Sequence, residues 1–130
     1  MKCIVVTPEK TVLEKDATFV VVPLYDGEYG IAVGHTPVVG RLGAGELRIE
    51  SKDGNETWFV QGGFVEVLNN VVTLLTGRAV EISRLKVADA EKALETAMAK
   101  PTGTDELFAA RVAAIEAARN ELRSAKKVAN

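Results

Sequence analysis

Residues 25–49 read YDGEYGIAVGHTPVVGRLGAGELRI, a run whose apolar stretches are interrupted by six glycines and one proline. Glycine supplies the positive φ that other residues avoid, so this spacing predicts strand, tight turn and strand. Asp26-Gly27 and the run Gly43-Ala44-Gly45 are the expected turn centres, and the first carries a hairpin signal. Pro37 removes a backbone donor and holds Thr36 extended, which excludes a helix interior over residues 33–37. The stretch is a glycine-punctuated β segment with a polar loop, and nothing in it is catalytic on its face.

The flanking sequence continues the pattern. Residues 2–7, 11–16 and 17–22 read as strands, with Thr7-Pro8-Glu9-Lys10 as a turn and Pro23 as a strand end. Phe19-Val20-Val21-Val22 is apolar on both faces, as a strand inside a sandwich is. Glu46-Leu47-Arg48-Ile49-Glu50 alternates like a half-buried strand, and Asp53-Gly54-Asn55 reads as a turn. Residues 57–61 and 64–68 flank Gly62-Gly63, and Asn69-Asn70 turns into residues 71–76. Short strands with turn signals at this density indicate a sandwich or barrel. Trp58, Phe59 and Phe64 are expected in or near its core.

The pattern changes near residues 81–83, where alanine, leucine, glutamate and lysine take over from β-branched residues and glycine. Ser83 is the expected N-cap of a first helix, with Val87, Ala90, Leu94 and Ala97 on one apolar face. Lys100-Pro101-Thr102-Gly103 breaks it, and Thr104 can cap a second helix striped by Phe108, Val112, Ile115 and Leu122. The expected fold is mainly β with an α appendage: an N-terminal β-sandwich over residues 1–82, then an antiparallel αα-hairpin over residues 83–130. Alanine is the best helix former but buries little area, so the hairpin is expected to be locally sound and weakly docked.

Composition narrows the chemistry. At 130 residues, 47% hydrophobic, the chain can bury a core, and no run approaches the ~20 apolar residues that span a bilayer. No signal peptide is read at the start, and the single cysteine, Cys3, fits a reducing cytosol. A net charge of −2 leaves no electrostatic footprint for nucleic acid. A lone histidine, His35, excludes a multi-histidine metal site, and no metal or cofactor site is expected. The glycine-rich pieces lack Gly-Lys-Ser/Thr and open no helix, so they are not phosphate loops. Basic residues crowd the end of the chain, either to complement a helix dipole or to dock on a partner.

Gly27-Glu28-Tyr29-Gly30-Ile31, then Gly34-His35-Thr36-Pro37, then Leu42-x-x-Gly45-x-Leu47-x-Ile49 resembles the signature of the epsilon subunit of F-type ATP synthases. Gly62-Gly63-Phe64-Val65-Glu66-Val67 and Val72-Thr73-Leu74-Leu75 agree in order and spacing. The resemblance implies a non-catalytic central-stalk subunit of a proton-translocating synthase, without a cofactor of its own. Its sandwich would couple the gamma subunit to the c-ring, and its hairpin would restrain ATP hydrolysis through transient contact with the alpha and beta subunits. It would be peripheral to the membrane through the complex, on the cytoplasmic face of the cell inner membrane or, alternatively, on a plastid thylakoid.

By position, Glu28, Tyr29, Gly30 and His35 would face the c-ring or the base of gamma, although the glycines can simply make turns. Arg111, Arg119, Arg123, Lys126 and Lys127 resemble basic residues that approach an acidic segment of the beta subunit. Val80-Glu81-Ile82-Ser83-Arg84-Leu85 resembles an ATP-binding motif of some relatives, with Glu81 and Arg84 as the candidates. Glutamate stands there for the motif's aspartate and Leu85 for its alanine. The rival from another class is a free-standing ligand-binding β-sandwich with a helical lid.

Overall fold

The structure, a computed structural model, describes residues 1–129. Ten strands form two five-stranded sheets: β1 Lys2–Val6, β2 Thr11–Asp16, β3 Phe19–Leu24, β4 Gly27–Ala32, β5 Val38–Arg41, β6 Ala44–Ser51, β7 Gly54–Gln61, β8 Phe64–Leu68, β9 Val71–Leu75 and β10 Ala79–Glu81. The first sheet runs β2-β1-β9-β8-β5 and the second β10-β7-β6-β3-β4. All pairings are antiparallel except β1 with β9, which is parallel. Alternation puts Val5, Val20, Val22, Ile31, Leu47, Ile49, Val65, Val67, Val72 and Leu74 in one shared core. Each large side chain so buried contributes about 1.5–3 kcal/mol. This is the β-sandwich with two C-terminal helices that the sequence pattern predicts.

Several local details differ from expectation, each for a physical reason. Pro23 lies inside β3 instead of ending it, paired with Glu28. Strand β6 pairs with β3 only over Phe19–Val21, so the donor that proline lacks falls where that ladder has stopped. The two Asp-Gly hairpins turn one residue earlier than expected, at Tyr25-Asp26 and Lys52-Asp53, as the Leu24–Gly27 and Ser51–Gly54 pairs show. Only the glycine that follows each turn adopts positive φ, 138° at Gly27 and 122° at Gly54. The Asn69-Asn70 hairpin instead has positive φ at both residues, 51° and 64°, which matches the right-handed twist of its strands. Ala44 and Gly45 belong to strand β6, not to a turn.

The two sheets are tied at one side by an ion pair between Lys15 of β2 and Glu56 of β7. The other Glu56 oxygen accepts from Trp58 Nε1–H at 3.0 Å. The bond from Lys15, helped by the indole N–H, holds the Glu56 carboxyl below the usual range, and Glu56 in turn holds Lys15 above its own. A lowered carboxylate pKa contributes stability above the unfolded value, and that contribution disappears as pH falls through the folded value. Lys15 works in the opposite sense, its share being lost only as pH rises through its raised value. Glu56→Gln is therefore expected to melt about 4 °C lower than the unaltered chain at pH 7. The two melting curves draw together as pH falls below the ordinary carboxylate range and meet once it has passed the lowered folded value. A gap that persists unchanged at pH 3 would remove the ion pair as its cause.

The chain divides into two compact units, the second beginning at Ile82. A single 3₁₀ turn, Ile82–Arg84, precedes α1, Val87–Met98, and α2, Asp105–Ala129. Ser83 lies in the 3₁₀ turn, and the N-cap of α1 is the extended Lys86, without a side-chain bond. Thr104 does cap α2, its Oγ1 accepting from Leu107 N–H at 3.1 Å. The helices pack on each other, and α2 also runs beside the 3₁₀ turn. At 1.5 Å per residue α2 spans about 37 Å against about 18 Å for α1, so its C-terminal half outruns α1. The buried face of α2 is Ala117, Ala118, Glu121, Ser124 and Ala125. The expected stripe lies elsewhere on the helix: Phe108 is 57% exposed and Val112 is also open. No helix among the described residues is long and apolar enough to cross a membrane.

Candidate functional site

In the sandwich the residues singled out by sequence separate into distinct local settings. Tyr29 and His35 come together: Tyr29 Oη lies 2.7 Å from His35 Nε2, with the rings edge-on at 74°. His35 Nδ1 lies 2.6 Å from Thr36 O, and a carbonyl only accepts, so Nδ1 carries a proton. Nε2 is then the acceptor for the Tyr29 hydroxyl when the ring is neutral. The loop is pinned further by Gly34 N–H donating to Asn70 Oδ1 at 2.9 Å. That bond joins it to the β8–β9 turn at one end of the sandwich. The pair holds its loop in shape and leaves Gly34, Thr36 and Pro37 exposed.

Glu28 and Gly30 point the other way, from the outer side of β4. Glu28 pairs with Arg48 at 3.3 Å across the second sheet. Gly30 is not in a turn; a Cβ there would lie 2.8 Å from the Phe19 ring, so its role is to leave room for that ring. The four residues are therefore not one contiguous set.

The larger feature is the outer face of the first sheet. On it Val39 is 69% exposed, Phe64 56%, Leu75 54% and Leu68 46%. The pairing register sets Arg41, Phe64, Leu75 and Val6 in one row, and Val39, Glu66, Thr73 and Ile4 in the next. Phe64 is thus a surface residue, contrary to its expected place near the core. A shallow groove of about 320 Å³ borders the first row, lined by Val6, Thr7, Pro8, Leu75, Thr76 and Gly77. The Thr76 hydroxyl lies 3.2 Å from both Gln61 O and Arg78 O, and the Thr7 hydroxyl is bonded to Lys10 O. Both hydroxyls of the groove are thereby satisfied, and it suits an apolar side chain. Contiguous exposed apolar surface of this kind is characteristic of interaction and ligand-binding sites. The sequence did carry a trace of it, since Phe64-Val65-Glu66-Val67-Leu68 is apolar at both parities of a strand.

In the helical unit Arg119, Arg123, Lys126 and Lys127 are exposed. At about 100° per residue they share the side of α2 opposite its buried alanines. Arg123 bonds to Asn120 Oδ1 at 3.1 Å. Arg111 is half-buried, with its Nε unpaired, and belongs to a different part of the helix. Of the nucleotide candidates, Glu81 ends β10 opposite Trp58 and Arg84 closes the 3₁₀ turn, while Leu85 is buried. Cys3 is no nucleophile: burial first, and the Glu56 charge second, push its thiol up to about 12.

Comparison with known proteins gives these surfaces a context. The family model for the ATP synthase delta/epsilon chain β-sandwich domain matches residues 1–82. An ATP synthase epsilon chain of Rhodopirellula baltica is 43% identical over 126 residues, covering 97% of this chain and 98% of the relative. A sodium-ion-specific ATP synthase epsilon chain of Propionigenium modestum is 37% identical over 93 residues, covering 72% and 68%. A chain of the Euglena gracilis mitochondrial ATP synthase, solved with OSCP, F1 and c-ring, superposes with a TM-score of 0.74 at 26% identity, covering 98% of this chain and 80% of that one. A chain of the Tetrahymena thermophila mitochondrial ATP synthase, from its central stalk and c-ring, shares the fold with a TM-score of 0.78 at 17% identity and 96% coverage of each. With the family model spanning the whole sandwich and a relative matched nearly end to end, this chain belongs to the ATP synthase epsilon chain family.

Proposed function

We propose that the chain is a non-catalytic subunit of the rotary central stalk, at the cytoplasmic face of the cell inner membrane. Its sandwich docks on the gamma subunit and couples it to the c-ring of a proton-translocating synthase. The observation that carries this reading is the apolar outer face of the first sheet, with Phe64 and Leu75 side by side and exposed. A monomer that functions alone gains nothing by leaving such a face in water. The loop end held by Tyr29 and His35 is rigid and exposed, which suits it to contact with the c-ring.

The hairpin is the regulatory arm. Its buried face is built largely of alanine and serine, which hold a helix by close approach and little area. Its other face presents four cations to an acidic surface of the beta subunit. The test is ATP hydrolysis by a purified alpha-beta-gamma complex, titrated with the full chain and with a variant carrying alanine at 119, 123, 126 and 127. Both are expected to bind, the chain to slow hydrolysis, and the variant to lose that restraint by roughly fivefold or more. Equal restraint by both removes the basic face from regulation. Failure of the unaltered chain to bind removes the subunit reading.

A further inference from the structure

Strand β8 turns Phe64, Glu66 and Leu68 to the same outer face, with Val65 and Val67 buried beneath them. In register with Glu66 stand Val39 on one side and Thr73 on the other. The carboxylate therefore occupies the middle of the apolar patch, not its rim. None of the ion pairs among the described residues includes it. The cations nearest by register are Arg41, one row along, and Lys2, which is engaged with Glu14 at 3.7 Å.

While the face is in water, this charge is hydrated and harmless. Once a protein surface covers the patch, the carboxylate loses that hydration, and without a counter-charge it opposes docking. We infer that the gamma surface docking on this sheet carries a lysine or arginine set over Glu66, so that Glu66 fixes the register of docking and selects the partner. This rests on the docking role proposed above. Apolar contact by itself is non-directional; a single central ion pair within it has one correct placement.

The test measures equilibrium binding of the full chain, Glu66→Gln and Glu66→Lys to the purified alpha-beta-gamma complex at two salt concentrations. Glu66 is exposed, and thermal melts verify that all three proteins are folded. With a cation opposite, Glu66→Gln weakens binding about tenfold and Glu66→Lys about a hundredfold, and the glutamine variant loses part of the salt dependence. With no cation opposite, the sign reverses: glutamine removes an uncompensated charge, so binding is unchanged or tighter. That result overturns the inference and leaves the docking role intact. Failure of the unaltered chain to bind at all overturns the docking role, and the inference with it.

Discussion

Replacing Gly63 by alanine is expected to lower the melting temperature of the sandwich by about 15 °C, while Gly62→Ala costs about 5 °C. Both residues have positive φ, 104° and 70°, and both substitutions incur the steric cost that a Cβ brings there, about 1–2 kcal/mol. What separates them is space. A Cβ on Gly62 meets nothing within 4 Å, whereas one on Gly63 would lie 1.9 Å from the Leu75 carbonyl oxygen. That oxygen is backbone, so relief requires moving a strand. Gly63 also sits where the chain crosses from the second sheet to the first, its carbonyl accepting from Leu42 N–H at 2.8 Å. Strain there is transmitted to both layers, for a total of roughly 3 kcal/mol. Equal melting temperatures for the two variants, measured by circular dichroism, would rule out backbone crowding as the reason for this glycine.

The second large effect concerns binding. Phe64→Asp combined with Leu75→Asp is expected to weaken association with the alpha-beta-gamma complex by more than about a hundredfold. The two side chains face each other across the β8–β9 ladder, so the substitutions place two like charges opposite one another in the proposed contact. Both are more than half exposed, so the melting temperature should move by only a few degrees. Loss of binding with folding retained assigns the first sheet's outer face to the interface. Retained binding moves the contact elsewhere, with the loop pinned by Tyr29 and His35 as the next surface to alter.

Much of the sandwich was legible because alternation and turn chemistry report on φ and on burial directly. Leu47 and Ile49 alternate with charged residues and are buried, and Asn69-Asn70 turns where expected. Phe64 was misplaced because a period of two separates the faces of a strand without naming their environments. An apolar residue on the outward parity reads the same whether it meets a second protein layer or water. The face of α2 failed for a related reason. Phe108, Val112, Ile115 and Leu122 carry the hydrophobic signal, yet the buried positions are Glu121, whose charge argues for exposure, and Ala117, Ala118, Ser124 and Ala125, whose small size gives periodicity little weight. Ser83 has the right chemistry for a cap, but a 3₁₀ turn consumes it and the helix starts four residues later. The apolar outer face with Glu66 at its centre needed the register of β5, β8 and β9, which comes from pairings distant in sequence.

The parallel pairing of β1 with β9 dictates when the sandwich can be completed during synthesis. Residues 2–6 emerge first and can pair at once with β2, but their other edge must wait for residues 71–75. Between those moments about seventy residues are made, and at 5–20 residues per second this takes several seconds. Throughout that interval a strand containing Cys3 and Val5 has an open edge in a nascent chain. Until then that edge of β1 carries a single charged side chain, Lys2, while Glu14, Lys15 and Asp16 lie on the already paired β2. Closure of the sheet is thus a late, long-range event, and its rate is governed by contact order more than by the strength of any one strand.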